Sequence, residues 1–537
     1  MPSVSFNNKE NRQLFVLEGT TILQAARTAG IDIDSPCGGA GTCGKCRVLV
    51  DGSHVLACQT EVLHDLFVYP APRTKTGTMQ ILHEGAQLET ELLPAVSKIY
   101  DHVNNRTKVC FEGGGIGFET GNTANQVFGA SVDIGTTTLV VSLVNLLTGE
   151  TVAEDSALNP QGMFAQDVLS RISYASETGG LETLFSEVTN AINTLLRAVA
   201  EKADVKTSHI YEVVYSGNTC MLHMATNVSP ESLGVYPYTP VVTGGNCVPA
   251  GRLGLIVSPF GRVVLPPILS AYVGADITSG ILTVGLHKKK GTTLFIDIGT
   301  NGEMVIARNG KLIATSTAAG PAFEGMNIEC GMRALNGAVE SFDVGPDGIV
   351  RVGAIGNDAA NGICGSGLVD IAGELVRWGV VTPRGRFTND ISLLPDELAG
   401  RLRQHNNRLV FYVDGDVYLS QKDIRQIQLA KGAIRTGIEC LLDRVGVESD
   451  QVDDVLIAGS FGYHLRARNL IAIGLLPQEF NNKVRFVGNT SKTGGEALLR
   501  NYRLRNELNS IVEQAEVVEL ANTENFQNLF VRSLSFH

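Results

Sequence analysis

The segment CGGAGTCGKC, residues 37–46, decides the fold of the first part of this 537-residue chain. With Cys58 it places four cysteines in a C-x5-C-x2-C-x11-C pattern. The glycines between them allow the positive φ angles and close backbone approach that a loop around an inorganic core requires. Four-cysteine zinc sites usually contain two C-x2-C pairs, whereas this segment has one. The spacing therefore predicts a [2Fe-2S] cluster, with the metal ligands Cys37, Cys43, Cys46 and Cys58.

The flanking residues predict a small fold of strands and one helix around the cysteine loop. Apolar residues at helical spacing predict a helix after Thr20 or Thr21 that stops at Gly30. Alternating residues on both sides of Asp51 and Gly52 predict a hairpin. This order resembles the β-grasp ferredoxin module over residues 1–82. The plant-type spacing is C-x4-C-x2-C with a distant fourth cysteine, so the loop departs from that subtype.

Composition and charge limit the classes of partner. The hydrophobic content of 44% and the charged content of 18% are typical of a well-buried globular protein. The net charge of −12 argues against nucleic acid and anionic membranes as partners. The first residues lack the apolar core of a signal peptide, and charges and prolines interrupt the apolar residues 253–282. We therefore expect a cytoplasmic protein.

A hairpin with phosphate-binding character occurs twice. VDIGTTTL at residues 132–139 is repeated as IDIGTNGE at 296–303, with Asp133 and Asp297 164 positions apart. The glycine allows backbone amides to approach a polyphosphate, and the aspartate can hold hydrated Mg²⁺. One such turn is weak evidence, but two inside apolar hairpins predict a duplicated nucleotide-binding unit.

Three further segments complete the pattern: SAYVGADITSGIL at 270–282, STAAGPAFEG at 316–325 and VLIAGSFGYHL at 455–465. Together they resemble the superfamily of actin, the heat-shock chaperone ATPases and the sugar kinases, in which two ribonuclease H-like halves clamp ATP. The chain has no Walker A sequence, so a P-loop is excluded. The resemblance implies that ATP is bound by Gly135, Thr136, Thr137, Gly299, Thr300, Asn301, Gly320, Gly459, Ser460, Phe461 and Gly462. The candidate catalytic residues are Asp133, Asp276, Asp297 and Glu324.

The roles of Asp276, Glu324, Lys431 and His464 stay open at this point. Direct catalytic roles for Asp276 and Glu324 weigh about evenly against ordinary hydrogen-bonded polar residues. Lys431, on an amphipathic helix over residues 421–442, is expected to be a solvated charge rather than an adenine contact. His464 is expected at the surface or in packing rather than on a metal.

Segments at 156–172, 213–224, 472–477 and 487–499 resemble the reductive activators of corrinoid proteins, in which a [2Fe-2S] ferredoxin domain is fused to an ATPase of this superfamily. The resemblance implies an ATP-hydrolysing reductase that transfers one electron from the cluster to Co(II), regenerating Co(I) for a methyltransferase system. The expected domains are the ferredoxin-like domain 1–82, a linker 83–127, two ATPase halves 128–286 and 287–505, and a C-terminal segment 506–537. The short linker indicates that a separate middle domain, found in some members, is reduced or absent.

The implied partners are a corrinoid protein and an electron donor. The chain lacks the D-x-H-x-x-G signature of corrinoid carriers, so the cobalt is expected on another protein. The GGGIG at 113–117 lacks the spacing of a nicotinamide or flavin fingerprint, which implies an external low-potential donor. The oligomeric state is open, a homodimer included.

Two alternatives remain at this stage. One is an ATP-dependent activator of a different low-potential enzyme. The other is a ferredoxin-type electron carrier with a nucleotide-binding module, against which the intact Asp133 and Asp297 argue.

Overall fold

The computed structural model describes residues 1–7, 12–31, 33, 35, 39, 41, 46–70, 86, 88–459 and 465–536. The chain divides into two compact units. One contains Met1–Thr78 with Pro160–Arg171, and the other contains Met79–Asn159 with Ile172–His537.

The first unit is built on a five-stranded sheet in the order β2-β1-β5-β3-β4. The central strands β1 and β5 are parallel, and the other neighbours are antiparallel. Helix α1 begins after Thr21, whose side chain accepts a hydrogen bond from the backbone of Gln24, and its apolar face is buried. Asp51 and Gly52 form the tight turn of the predicted hairpin, both with positive φ. The predicted β-grasp ferredoxin fold is confirmed, with β1 Ser3–Phe6, β2 Arg12–Phe15, α1 Ile22–Thr28, β3 Arg47–Val50, β4 Ser53–Leu56 and β5 Leu66–Pro70.

The second unit opens with a three-stranded antiparallel sheet within the residues predicted as a linker. Its strands are β6 Val96–Asp101, β7 Arg106–Phe111 and β8 Gly114–Thr120. A Cβ on Gly117 would lie 2.0 Å from the ring of Phe260, so that glycine serves close packing rather than flexibility.

The first half of the duplicated fold is a six-stranded sheet in the order β11-β10-β9-β12-β14-β13. Strands β9, β10 and β11 form the antiparallel meander predicted around Asp133, and β12 and β14 join it in parallel. The elements are β9 Phe128–Ile134, β10 Thr138–Asn145, β11 Thr151–Leu158, α2 Val168–Ala175, α3 Gly180–Lys202, β12 Ile210–Gly217, α4 Thr219–Ala225, α5 Glu231–Gly234, β13 Asn246–Pro249, β14 Arg262–Leu265 and α6 Ala275–Thr283.

The second half repeats this plan in the order β25-β24-β15-β16-β17-β26. Strands β15, β16 and β17 are antiparallel, and β24 and β25 join β15 in parallel. The predicted pair of ribonuclease H-like halves is therefore confirmed. The core elements are β15 Thr292–Ile298, β16 Gly302–Arg308, β17 Lys311–Thr317, β18 Ala338–Val344, β19 Val350–Ala354, β20 Gly362–Ile363, α7 Gly365–Arg377, α8 Asp396–Arg401, β21 Leu402–His405, β22 Arg408–Asp414, β23 Val417–Ser420, α9 Gln421–Val445, β24 Asp454–Ala458, α10 Ala467–Ala472 and β25 Val484–Gly488.

The C-terminal elements are α11 Thr490–Arg500, α12 Leu504–Gln514, β26 Ala515–Val517 and α13 Phe526–Ser533. Strand β26 extends the second sheet in parallel with β17. The last residues cover α9, where the buried Lys431 ammonium donates to the carbonyl of Ser535 and lies 5.5 Å from the centroid of the Phe536 ring. The prediction of a solvated Lys431 is therefore wrong.

Helix α11 ties the two halves together. It follows β25 of the second sheet, yet it packs against β9 and β12 of the first sheet and against α6. Its residues 490–499 are all buried. A Cβ on Gly494 would lie 2.5 Å from the carbonyl oxygen of Ser279 in α6, so the two helices touch through their backbones. Of the helices in the described ranges, none is long and apolar enough to cross a bilayer.

We expect the substitution Gly494→Ala to lower the free energy of unfolding by about 1–3 kcal/mol, because the added methyl group must push α6 away. The matched control is Gly400→Ala on α8, where a Cβ has no neighbour within 4 Å. Chemical denaturation can be followed through the fluorescence of Trp378, the single tryptophan of the chain. Equal denaturation midpoints for G494A and the wild type would contradict the helix contact.

Candidate functional site

The turns after β9 and β15 face one another across a cavity of about 170 Å³. The hydroxyl oxygens of Thr137 and Thr300, one from each turn, are 3.5 Å apart. The structure thus brings together most of the predicted residues, and the cavity is lined by Asp133, Gly135, Thr136, Thr137, Asp276, Asp297, Gly299, Thr300, Asn301, Glu324 and Gly459.

Four predicted nucleotide-binding residues are not among the described residues that line the cavity. Gly320 does not line the cavity; it precedes the short turn Pro321–Glu324 with a φ of 77°. Ser460, Phe461 and Gly462 lie outside the described residues, as does His464.

The first phosphate loop requires its glycine. The backbone N–H of Gly135 donates to the carbonyl of Thr138 at 2.9 Å, closing the turn. A Cβ on Gly135 would lie 2.7 Å from that same oxygen. In the second loop, the N–H of Gly299 donates to the carbonyl of Asn301 at 2.9 Å. Both turns leave backbone and threonine donors at the cavity, the arrangement that polyphosphates bind.

Both carboxylate oxygens of Asp133 accept hydrogen bonds from the start of α11. The side-chain amide of Asn489 donates to Oδ2 at 2.7 Å, and the hydroxyl of Ser491 donates to Oδ1 at 2.7 Å. Asn489 is itself fixed, since its Oδ1 caps the helix by accepting the N–H of Lys492 at 2.9 Å. Burial raises the pKa of Asp133, and these two donors oppose that rise by stabilising the ionised form.

Asn489 and Ser491 were not predicted as site residues. The sequence offered one signal, the segment 487–499, which was noted only as a family likeness. Nothing in that segment indicates that its amide and hydroxyl reach a strand more than 350 residues earlier in the chain.

Three more acids surround Asp133. Burial, followed by the charge of Asp133, raises the pKa of Asp297 to about 7. Burial and the charge of Asp297 raise the pKa of Asp276. Glu303, which pairs with Asp297 across the β15–β16 hairpin, has its pKa raised by burial and by both neighbouring aspartates. Glu303 and Asn218, which donates to it at 3.5 Å, were also missed by sequence reasoning.

This concentration of buried acids fits a cation that keeps its water shell. In the described part of the chain, no group of three or more His, Cys, Asp or Glu side chains is spaced to ligate a metal ion directly. Mg²⁺ at nucleotide sites commonly keeps several waters and needs only one or two carboxylates. The acids therefore fit a hydrated divalent cation bound together with phosphates.

Glu324 bridges the two phosphate loops. Its Oε1 accepts the hydroxyl of Thr300 at 2.7 Å, and its Oε2 accepts the hydroxyl of Thr137. Its carboxylate thus lies between the loops of the two halves. This position favours a role at the phosphates over that of an isolated polar residue.

Two of the four predicted cluster ligands lie in the described part of the first unit. The Sγ atoms of Cys46 and Cys58 are 3.2 Å apart, and both side chains are buried. A disulfide would hold them at about 2.05 Å, so the two thiols converge without a covalent bond between them. Such a pair fits two ligands of one tetrahedral metal. Cys37 and Cys43 lie outside the described residues.

Comparison with known protein families assigns three consecutive parts of the chain. Residues 6–65 match the 2Fe-2S iron-sulfur cluster binding domain, residues 128–289 match the RACo middle region, and residues 291–537 match the C-terminal domain of RACo, the ASKHA domain. The middle-region match begins at residue 128, where the sequence analysis places the first ATPase half, so it leaves open the prediction of a reduced or absent domain before that half. The middle region is the stretch that carries the first phosphate hairpin.

Individual relatives agree with this assignment. The chain is 30% identical to the corrinoid activation enzyme RamQ of Eubacterium limosum, over 98% of this chain and 97% of the relative. It is 25% identical to the [Co(II) methylated amine-specific corrinoid protein] reductase of Methanosarcina barkeri, over 76% and 77% of the two chains. A solved structure, titled as a reductive activator for corrinoid, iron-sulfur protein, has a TM-score of 0.76 and 31% identity and covers 100% of this chain and 98% of its own.

The raised pKa of Asp297 predicts how stability depends on pH when no cation is bound. The unfolded carboxyl has a pKa of 3.8 and the folded one about 7, so folding favours the protonated form. The metal-free protein should lose up to about 1.4 kcal/mol per pH unit from this group as the pH rises between those values.

The measurement is the thermal midpoint in chelator from about pH 5 to 7.5. The variant Asp297→Asn should show a smaller loss over this range than the wild type. The same slope in both proteins would contradict the assignment of the raised pKa to Asp297.

The hydrogen bond from Ser491 to Asp133 predicts a second result. Ser491→Ala removes one of the two donors, so the pKa of Asp133 should rise further and the ATPase kcat should fall by roughly 10-fold or more. The acidic limb of the pH–rate profile should move to higher pH. Ser491→Thr keeps the hydroxyl and should restore both properties. An unshifted pH profile in S491A would count against this contact.

Proposed function

The chain belongs to the RACo family of reductive activators of corrinoid proteins, and from that membership we propose that it couples ATP hydrolysis to the transfer of one electron to Co(II) of a corrinoid protein, regenerating Co(I) for a methyltransferase system. The observation that carries this proposal is the pairing, on one chain, of a 2Fe-2S domain with a nucleotide cavity that contains both Asp133 and Asp297.

The need for ATP follows from the reduction potentials of the iron–sulfur cluster and of the cobalt. A plant-type [2Fe-2S] centre has a reduction potential of about −400 mV, and the family resemblance implies a lower reduction potential for the Co(II)/Co(I) couple. Each ~59 mV of such a one-electron gap is about tenfold in the equilibrium constant. Nucleotide binding drives an uphill step only if it changes the affinities for the oxidised and reduced partner by different amounts.

We assign phosphate binding, cation binding and hydrolysis to different residues of the second unit. We assign phosphate binding to the loops of Thr137 and Thr300, and hydrated Mg²⁺ to Asp133 and Asp297. Glu324, held between the loops by both threonine hydroxyls, is placed to orient the attacking water. Because the turns of both halves line the same cavity, a nucleotide bound there would contact both halves at once.

In the first unit, we assign the cluster to Cys46 and Cys58 together with Cys37 and Cys43. The convergence of the two described sulfur atoms in a buried position fits this group. When bound, the cluster supplies the single electron. The electron reaches it from an external low-potential donor, since the chain carries no dinucleotide fingerprint.

The test uses the variant Cys58→Ser and, as a matched control, Cys247→Ser, which changes a half-buried thiol of the second unit that is not part of the four-cysteine pattern. Under anaerobic conditions, C58S should lose Co(I) formation, measured by its absorbance band, while its affinity for ATP stays within about twofold of the wild type. C247S should retain both. Formation of Co(I) by C58S at the wild-type rate would refute the role of the cluster.

A further inference from the structure

The second half carries a strongly basic cavity of about 860 Å³, separate from the nucleotide cavity. Its walls present four exposed cationic side chains: Arg384, Arg386, Arg408 and Lys422. We call this surface the basic pocket. It stands out because the chain as a whole carries a net charge of −12.

These cationic side chains lie on elements that hydrogen bonds and helix α9 hold in place. Arg384 and Arg386 lie on the loop between Thr382 and Phe387, which Gln421 fastens to the start of α9. The Gln421 amide donates to the carbonyl of Gly385 at 2.5 Å and accepts the N–H of Phe387 at 3.2 Å. Lys422 is the next residue of α9, and Arg408 begins β22.

Few negative charges balance the basic pocket. Arg408 pairs with Glu329 at 3.3 Å. Arg384, Arg386 and Lys422 make no ion pair within the described ranges. Asp423, beside Lys422, is buried, and its oxygens accept hydrogen bonds from Ser420 and from the N–H of Glu329. The N-terminal end of the 25-residue helix α9 adds further positive potential.

We propose that the basic pocket docks an acidic surface of the corrinoid protein. This assignment rests on the proposed function, which requires a second protein to bind and then leave. The side chains are long and exposed, which suits a transient protein contact better than a small anion held by buried donors. Complementary charge speeds and orients the encounter of two proteins, and the acidic remainder of this chain repels other orientations of an acidic partner.

A short segment joins the basic pocket to the nucleotide site. Glu324 bridges the phosphate loops, and Glu329 follows it by five residues. The backbone of Glu329 is bound by Asp423 at 2.8 Å, and its carboxylate contacts both Arg408 and, at 3.1 Å, the hydroxyl of Tyr418. Nucleotide binding at Glu324 therefore acts close to a residue that holds one wall of the pocket.

The test replaces the three cations that have no ion pair among the described residues, in the variant R384E/R386E/K422E. The matched control R197E/K206E/K290E makes the same charge change at exposed positions that do not line the pocket. The KM for the corrinoid protein in the anaerobic Co(I) assay should rise roughly 10- to 100-fold in the first variant and less than about 3-fold in the control. The dependence of kcat/KM on ionic strength should weaken, and ATP hydrolysis without partner should stay unchanged.

Because charge reversal can disturb folding, R384Q/R386Q/K422Q provides a second variant, expected to raise the KM by a smaller factor. An unchanged KM in both pocket variants, with an active wild type, would overturn the docking proposal alone. Weaker binding of inorganic phosphate with an unchanged KM would also overturn it and identify a small-anion site. Absence of Co(I) formation by the wild type would overturn the proposed function and this assignment with it.

Discussion

Two buried carboxylates of like charge, Asp133 and Asp297, occupy equivalent positions in the two copies of the phosphate hairpin. The loss of water on burial and, after it, the charge of Asp133 raise the pKa of Asp297, so ionisation at neutral pH requires compensation from elsewhere. Asp133 obtains part of it from the amide of Asn489 and the hydroxyl of Ser491. The remainder fits a hydrated cation with phosphates, and under the proposed function a bound nucleotide would link the two halves.

Two protein contacts already span the same boundary. Helix α11 runs from the second sheet onto the first, and Glu324 of the second half accepts hydroxyl groups from the phosphate loops of both halves. A change at the phosphates therefore acts on α11 and on the turn that carries Glu324. An ATPase built in this way can convert hydrolysis into a change of surface, which is what an uphill electron transfer between two proteins requires.

The sequence was sufficient for features that are local or repeated. The spacing of the cysteines, the Asp51–Gly52 turn and the duplicated D-x-G-T hairpin each fit within a short window. Asn489, Ser491 and Glu303 were not predicted as site residues, because their roles depend on tertiary contacts that a local sequence pattern does not indicate. Lys431 was misjudged for the same reason, since the residues that cover it lie more than 100 positions later.

Predictions of local structure from glycine residues were the least reliable. Gly117 lies within the predicted linker 83–127, but it allows a strand to pack directly on Phe260. At Gly135 the predicted turn is present, and a Cβ there would lie 2.7 Å from the carbonyl oxygen of Thr138; its phosphate-binding role stays a prediction. The family's middle region coincides closely with the first ATPase half, because it carries the first of the two duplicated hairpins.

The central claim, that nucleotide makes the cluster's electron competent, is tested most directly by one anaerobic titration. Reduced protein is mixed with a Co(II) corrinoid protein, and the Co(I) absorbance is recorded without nucleotide, with a non-hydrolysable ATP analogue and with ATP. The account predicts that Co(I) accumulates with ATP and stays at background in the other two samples. Equal accumulation of Co(I) in the absence of nucleotide would contradict it.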